Sequence, residues 1–312
     1  MRAVTVADGA LEWREHPDPE PGHGELLVAV RAAGLNSADL MQRAGFYPAP
    51  PGSPPDIPGL ELAGEVIAIG ENVRTFAPGD RVMAVVGGGA QAELALVPER
   101  HAIAIPDTVG WSEAGGFPEV FTTAHDALFS QCGLGMGERV CVHGGAGGVG
   151  LAGVQLAVAA GASVVATVRS ESLRDAVSAF GAIAVAPDEF TDHGPFDVIL
   201  ELVGAPNFPA NIDALASGGR ISIIGLGGGS SIELNLLGLM QKRARIHGSA
   251  LRTRSLEDKA LAARRIERHV IPLLADGRVR VPVAETFAMA DAVAAYERFA
   301  AGGKLGKLVL TN

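Results

Sequence analysis

Cysteine is nearly absent: Cys132 and Cys141 are the only two in 312 residues. Two cysteines cannot form a disulfide framework or a four-cysteine zinc lobe, so a reduced, cytoplasmic protein is expected. The eight histidines are scattered, and none pairs with a cysteine at ligand spacing. No closed set of nitrogen and sulfur ligands can be built, and no metal is expected. Positive charge is in deficit: 25 Lys and Arg face 35 Asp and Glu, a net charge of −10. That balance argues against a nucleic-acid or anionic-membrane surface as partner. Aromatic residues are only 5% of the chain. The opening, Met1 to Asp8, is too polar and too soon acidic for a signal peptide.

What is present is glycine, 41 residues, and 48% hydrophobic residues, enough for a large core. The length suggests two domains. The run Gly144–Val168 carries no charge and has the length of a membrane span. Its seven glycines, Gln155 and the break at Gly161 argue instead for soluble elements. Arg139–His143 reads as a buried strand, Val149 to about Ala160 as a helix, and Ser163–Val168 as a second strand. Between the first strand and the helix lies Gly144-Gly-Ala-Gly-Gly-Val-Gly150. This is the βαβ unit of a dinucleotide-binding fold. Gly145 is expected to turn the chain off the strand and Gly147 to let a pyrophosphate approach the backbone. Gly150 is expected to let helix and strand pack closely. Free N–H groups at the helix start then face an anion.

An NAD-specific fold places an acid after the second strand to bind the ribose hydroxyls. Here Arg169 and Ser170 stand there, with Arg174 one turn on. Two cations and a hydroxyl suit the extra phosphate of NADP.

Residues before about 100 alternate short apolar runs with turns and read as a small, mainly β, barrel-like domain. A helix is expected over Ser37–Ala44, capped by Ser37, and helical spacing runs over 112–130 with Ser112 as cap. Leu256–Leu274 reads as one long helix, Asp291–Ala301 as another, and Gly306–Leu310 as a closing strand. Pro48 to Pro58 holds six prolines in eleven residues, a stiff extended loop. Tyr47 precedes it, where its phenol can polarise a carbonyl or simply pack. Asn36 can orient a substrate or ribose, or cap the helix; Asp39 reads as structural. Thr122 and Thr123 can bond a phosphate or ribose, and Lys307 can reach the pyrophosphate. Tyr296 reads as a packing residue. The dense cation run Lys242-Arg243-Ala-Arg245 either docks an acidic carrier or caps a helix.

Three segments together resemble a known family: Gly34-Leu-Asn-Ser-Ala-Asp-Leu-Met-Gln-Arg-Ala-Gly-Phe-Tyr47, Pro58-Gly-Leu-Glu-Leu-Ala-Gly64 and His143–Gly150. They are similar to the zinc-independent quinone oxidoreductases of the medium-chain dehydrogenase/reductase superfamily, and the likeness runs on through Gly248–Arg254 and Gly303–Val309. It implies a GroES-like catalytic domain, residues 1–118 and 253–312, and a Rossmann domain, residues 119–252. The zinc-dependent members carry a cysteine near Asn36 and Gly-His-Glu where this chain has Gly59-Leu60-Glu61. By position, the resemblance puts Asn36 and Tyr47 at the substrate. It puts Thr123, Gly145, Ala146, Gly147, Gly148, Val149, Gly150, Arg169, Ser170, Arg174, Gly225, Leu226, Leu251 and Lys307 at NADPH. It implies a homodimer, and metal-free hydride transfer from NADPH to quinones or other α,β-unsaturated carbonyls. Two alternatives are an enoyl-thioester reductase and, as among lens-crystallin relatives, an NADPH-binding structural or sensing protein without turnover.

Overall fold

In the computed structural model, which describes residues 1–312, the chain divides into two units. The first comprises Met1–Glu119, Leu251–Gly303 and Lys307–Asn312; the second comprises Val120–Ala250 and Lys304–Gly306.

The first unit is built from strands β1 (Arg2–Ala7), β2 (Ala10–Glu15), β3 (Glu25–Gly34), β4 (Glu61–Ile69), β5 (Arg81–Val85), β6 (Leu94–Pro98) and β7 (Ile103–Ala104). β1 and β2 form a hairpin. β3 pairs antiparallel with both β4 and β6. Its alternating residues Leu26, Val28 and Val30 enter a core shared with Leu62, Val66, Val82 and Val97. Helix α1 (Ser37–Arg43) follows β3. Its N-cap is Asn36, one residue before the expected Ser37, and the Asp39 carboxylate accepts the Asn36 N–H at 2.8 Å.

The expected helix over 112–130 is two helices, α2 (Trp111–Gly115) and α3 (Pro118–His125). Gly110, and not Ser112, is the N-cap. The proline ring of Pro118 blocks continuation from α2, but suits the first turn of a new helix. The end of α3 widens into a π-turn over Asp126–Gln131.

The second unit carries strands β8 (Arg139–Val142), β9 (Ser163–Thr167), β10 (Ile183–Val185), β11 (Phe196–Glu201), β12 (Leu215–Ile223) and β13 (Arg245–Gly248). They form one parallel sheet in the order β10-β9-β8-β11-β12-β13. Helices α4 (Gly148–Ala159), α5 (Arg174–Ser178), α6 (Phe208–Ala214) and α7 (Leu236–Lys242) connect them. Strand order reverses between β8 and β11, and crevices in such sheets open at the carboxyl ends of the strands beside that point. No helix is long and apolar enough to cross a membrane. β13 is short, with one apolar residue, and α7 is a seven-residue helix whose apolar residues mostly face outward, so neither stands out in the sequence. β13 is an edge strand, and α7 leaves Leu236, Leu237 and Met240 each more than 60% exposed. Lys242 donates to the carbonyls of Asp213 and Leu215 at 3.0 and 2.7 Å, and Arg243 is a left-handed C-cap. Lys242 and Arg243 therefore serve the helix end, and Arg245 is exposed at the start of β13.

The chain then returns to the first unit with α8 (Leu256–His269), α9 (Ile271–Ala275), β14 (Val283–Ala288), α10 (Ala292–Ala301) and β15 (Lys307–Thr311). The expected single helix over 256–274 breaks at Val270, because Pro272 brings no N–H to the next turn. Tyr296 is buried, and its hydroxyl donates to Gln91 Oε1 at 2.8 Å.

Cys132 and Cys141 are both buried and unpaired. Burial pushes the Cys132 thiol up to about 12 and the Cys141 thiol well above its ordinary value. Neither should react with an aromatic disulfide reagent at pH 8 in the native protein, and both should react once guanidinium unfolds it; a fast-reacting native thiol would contradict this packing.

Candidate functional site

The nucleotide loop lies in the second unit, at the carboxyl end of β8. The residue that turns the chain is Gly144, with φ +69°, one position before the expected Gly145. Gly145 is needed for another reason: a Cβ there would meet Ala166 Cβ at 2.8 Å. A Cβ on Gly150 would collide with the Gly144 carbonyl oxygen, so helix and loop touch backbone to backbone. Gly147 caps α4, and nothing lies nearer than 3.5 Å to where its Cβ would be, which leaves open backbone at the helix start. The α4 N–H groups beyond Gly147, at Gly148 and Val149, have no intrahelical acceptor. This is a cradle that fits an anion such as a pyrophosphate. Residues 304–306 hold the loop from the other side: the Gly306 N–H donates to the Ala146 carbonyl at 2.8 Å, and Gly306 bridges Gly147.

Arg169 and Ser170 follow β9. Arg169 is exposed, and Arg174 folds back so that its Nε donates to the Val168 carbonyl at 3.2 Å. The Arg174 guanidinium thus attaches to the end of the strand that Arg169 follows. Ser170 Oγ lies 3.0 Å from Ser172 Oγ. Thr122 and Thr123 are buried on α3, and Leu251 is buried in the first unit. Gly225 packs against Leu202, and a side chain there would collide with its carbonyl. Leu226 is 52% exposed and borders an apolar cavity of about 450 Å³ lined by Phe208, Ile223 and Leu239.

In the first unit a buried ion pair sits where α1 begins. Lys307 Nζ donates to Glu61 Oε1 at 2.6 Å, Leu35 O at 2.7 Å and Asn36 Oδ1 at 2.8 Å. Both charged side chains are at most 3% exposed. The Asn36 amide donates to Glu61 Oε1 at 2.9 Å, and the Glu119 N–H donates to Glu61 Oε2 at 2.8 Å. All three Lys307 donors are used within this cluster. The half-buried Asn36 side chain bonds both members of the pair.

Tyr47 is held by Arg252, which is itself only 3% exposed. Arg252 donates to the Tyr47 carbonyl at 2.9 Å, the Gly87 carbonyl at 2.7 Å and Gln42 Oε1 at 2.5 Å. Its guanidinium carbon lies 5.0 Å from the centre of the Tyr47 ring. The fork ties α1, the start of the proline loop and the glycine turn at Gly87 together. Burial, and secondarily the Glu119 charge, raises the Tyr47 phenol above its ordinary value against the pull of Arg252, so it remains a donor. Burial, then the Arg252 charge, lowers the ammonium of half-buried Lys259. Sequence reasoning passed over Arg252 and Glu61. The available signal was a charged residue in an apolar run, Leu60-Glu61-Leu62 and Ala250-Leu251-Arg252. No group of three or more His, Cys, Asp and Glu side chains comes together.

Two family models match this chain: the alcohol dehydrogenase GroES-like domain over residues 22–107 and the zinc-binding dehydrogenase over residues 148–267. The chain is 31% identical to a quinone oxidoreductase of Pseudomonas aeruginosa, covering 96% of this chain and 95% of that one. It is 29% identical over the full length of both chains to an acryloyl-coenzyme A reductase of Metallosphaera sedula. Among solved structures, a mycobacterial protein in complex with NADPH superposes with a TM-score of 0.87 at 27% identity, over 100% of both chains.

Lys307→Met leaves Glu61 buried without its cation, and should cost about 3–5 kcal/mol in urea unfolding. Adding Glu61→Gln should recover part of that loss; a single variant as stable as wild type would mean the pair contributes nothing. Burial raises Asp39 to about 6 from an ordinary 3.8, against the lowering effect of the Asn36 N–H and Lys307. The folded state therefore holds the Asp39 proton more tightly than the unfolded chain. Its contribution to stability is full below pH 4 and is lost as pH rises through about 6. Relative to wild type, Asp39→Asn should gain up to roughly 3 kcal/mol between pH 4 and pH 7, read from unfolding midpoints at both values.

Proposed function

The chain belongs to the quinone oxidoreductases of the medium-chain dehydrogenase/reductase superfamily, and on that premise we propose that it is an NADPH-dependent reductase of quinones and related α,β-unsaturated carbonyls. The observation that carries this reading is the cradle at Gly144–Gly150 with two arginines, and no acid at the corresponding position, after the next strand. When bound, NADPH supplies the hydride. The open backbone at Gly147 and the N–H groups of Gly148 and Val149 take the pyrophosphate. Arg169, Ser170 and Arg174 take the 2′-phosphate. Thr123, Gly225, Leu226 and Leu251 line the rest of the cofactor.

Tyr47 donates a hydrogen bond to the substrate oxygen on which negative charge develops. Its raised phenol keeps the proton in place at neutral pH. We read the reaction as metal-free: the Lys307 ammonium already neutralises Glu61, and Asn36 and Leu60 stand where the zinc-dependent members place ligands. Two buried, unpaired thiols fit work in the cytoplasm. The unpaired edge of β13 and the apolar face of α7 support a homodimer joined through the second unit.

A second reading, an enoyl-thioester reductase, is favoured by the likeness to an acryloyl-coenzyme A reductase. Lys242 and Arg243 bond a helix end, which weakens the case for a basic patch docking a carrier protein.

The deciding experiment is NADPH oxidation by the purified protein with ortho- and para-quinones and acyclic enones, with NADH alongside. Arg169→Ala should weaken NADPH binding by roughly 1.5–3 kcal/mol and leave NADH nearly unchanged. Tyr47→Phe should lower kcat on the order of 100-fold. Equal losses for both cofactors would sink the 2′-phosphate assignment. Turnover on enones alone selects the second reading, and tight NADPH binding without turnover removes the catalytic one.

A further inference from the structure

A buried polar chain under the nucleotide loop is used by none of the steps above. Glu201, at the end of β11, is fully buried, as are His143 and Asn211, and Thr167 is 3% exposed. Glu201 Oε2 accepts from Asn211 Nδ2 at 2.6 Å, and Oε1 accepts from the Val203 and Gly204 N–H groups at 2.7 and 2.8 Å. Asn207 Nδ2 reaches both oxygens, at 3.3 and 3.2 Å. Asn211 Oδ1 lies 2.7 Å from His143 Nε2, and His143 Nδ1 lies 3.1 Å from Thr167 Oγ1. Thr167 Oγ1 accepts the Gly144 N–H at 3.3 Å.

The donors and acceptors along this chain are all determined. A carboxylate only accepts, so the Asn211 amide must present its NH₂ to Glu201 and its oxygen to His143. That oxygen demands a hydrogen on His143 Nε2. Burial keeps the imidazole neutral, so Nδ1 is an acceptor and the Thr167 hydroxyl donates to it. Every bond therefore points from Gly144 toward Glu201, and bonds aligned in this way strengthen one another. Phe190 packs edge-on to the His143 ring at 4.7 Å and fixes its plane. The chain begins at the one residue of the loop with positive φ and ends at the turn after β11, on the strand beside β8.

We propose that Glu201, acting through Asn211, His143 and Thr167, is the positioning group of the nucleotide loop: it holds the Gly144 turn and the Val203–Gly204 turn in fixed register, so that the loop is formed before the nucleotide arrives. This rests on the reading of Gly144–Gly150 as the NADPH cradle. The cost of ordering the loop is met during folding, and binding does not bear it.

The test is Thr167→Val and Thr167→Ser, with NADPH affinity by calorimetry, steady-state kinetics and the ¹⁵N spectrum of the His143 ring. Valine keeps the shape, but strands the Gly144 N–H and His143 Nδ1. It should raise the Kd and KM for NADPH roughly tenfold, with a much smaller change in kcat at saturation. Serine restores the hydroxyl and should restore the affinity. The wild-type spectrum should show a neutral ring protonated at Nε2. Wild-type affinity in Thr167→Val, no rescue by serine, or a ring protonated at Nδ1 would each overturn the inference while leaving the cradle intact. Failure of the wild-type protein to bind NADPH at all would overturn both.

Discussion

The Lys307–Glu61 ion pair is the constraint on which the first unit turns. An ammonium and a carboxylate taken out of water cost several kcal/mol each unless each finds partners. Here the partners are supplied by five segments: the residue after β3, the start of α1, the first residue of β4, the first turn of α3 and the first residue of β15. Each of those segments is thereby fixed in register. Asp39, one turn into α1, then accepts from Asn36 and Gly59 in a site dry enough to raise its own proton affinity. Tyr47 follows four residues after the end of that helix, and Arg252 fastens it from a different part of the chain. The charge pair thus fixes the start of the helix that leads to Tyr47.

The two units stabilise their special loops by different means. In the first unit, long cationic side chains reach across the fold: Lys307 spends all three donors, and Arg252 three of its five, on oxygen acceptors. The second unit works mainly with backbone. Gly144 turns, Gly150 removes a side chain, and residues 304–306 add one strand-like contact. The directed chain from Gly144 to Glu201 is its polar complement, and it is short-ranged in space although its members span 68 positions of sequence. An apolar replacement of the whole chain would pack, but it would leave three N–H groups in two turns, those of Gly144, Val203 and Gly204, unsatisfied.

The parts legible in the sequence were those governed by neighbours. The βαβ unit, the β-rich first part, the arginines after β9 and the packing role of Tyr296 all follow from local period and residue type. The breaks at Phe117 and Val270 were also local, since Pro118 and Pro272 announce them, but the apolar spacing continues across both and masks the interruption. Gly144 and Gly145 cannot be told apart by composition: one is needed for its positive φ, and the other because of Ala166, a residue on the next strand. The partners of Lys307 and Asn36 were hidden for the same reason. Their chemistry suits a phosphate or a substrate, and only the distant Glu61 shows that it is already satisfied.

The contact of Gly306 with Ala146 has a consequence for synthesis and turnover. The nucleotide loop is translated near the middle of the chain, but its outer support is made about 160 residues later, when β15 is also being completed. A nascent chain can form the parallel sheet and the polar chain beneath the loop early, yet the loop lacks its outer brace until Gly306 has left the ribosome. A chain cut anywhere before that glycine loses the brace of one unit and a core strand of the other in a single event. Possession of a finished cofactor cradle is therefore a mark of an intact chain, and bound nucleotide would protect complete molecules from proteolysis while leaving shortened ones exposed.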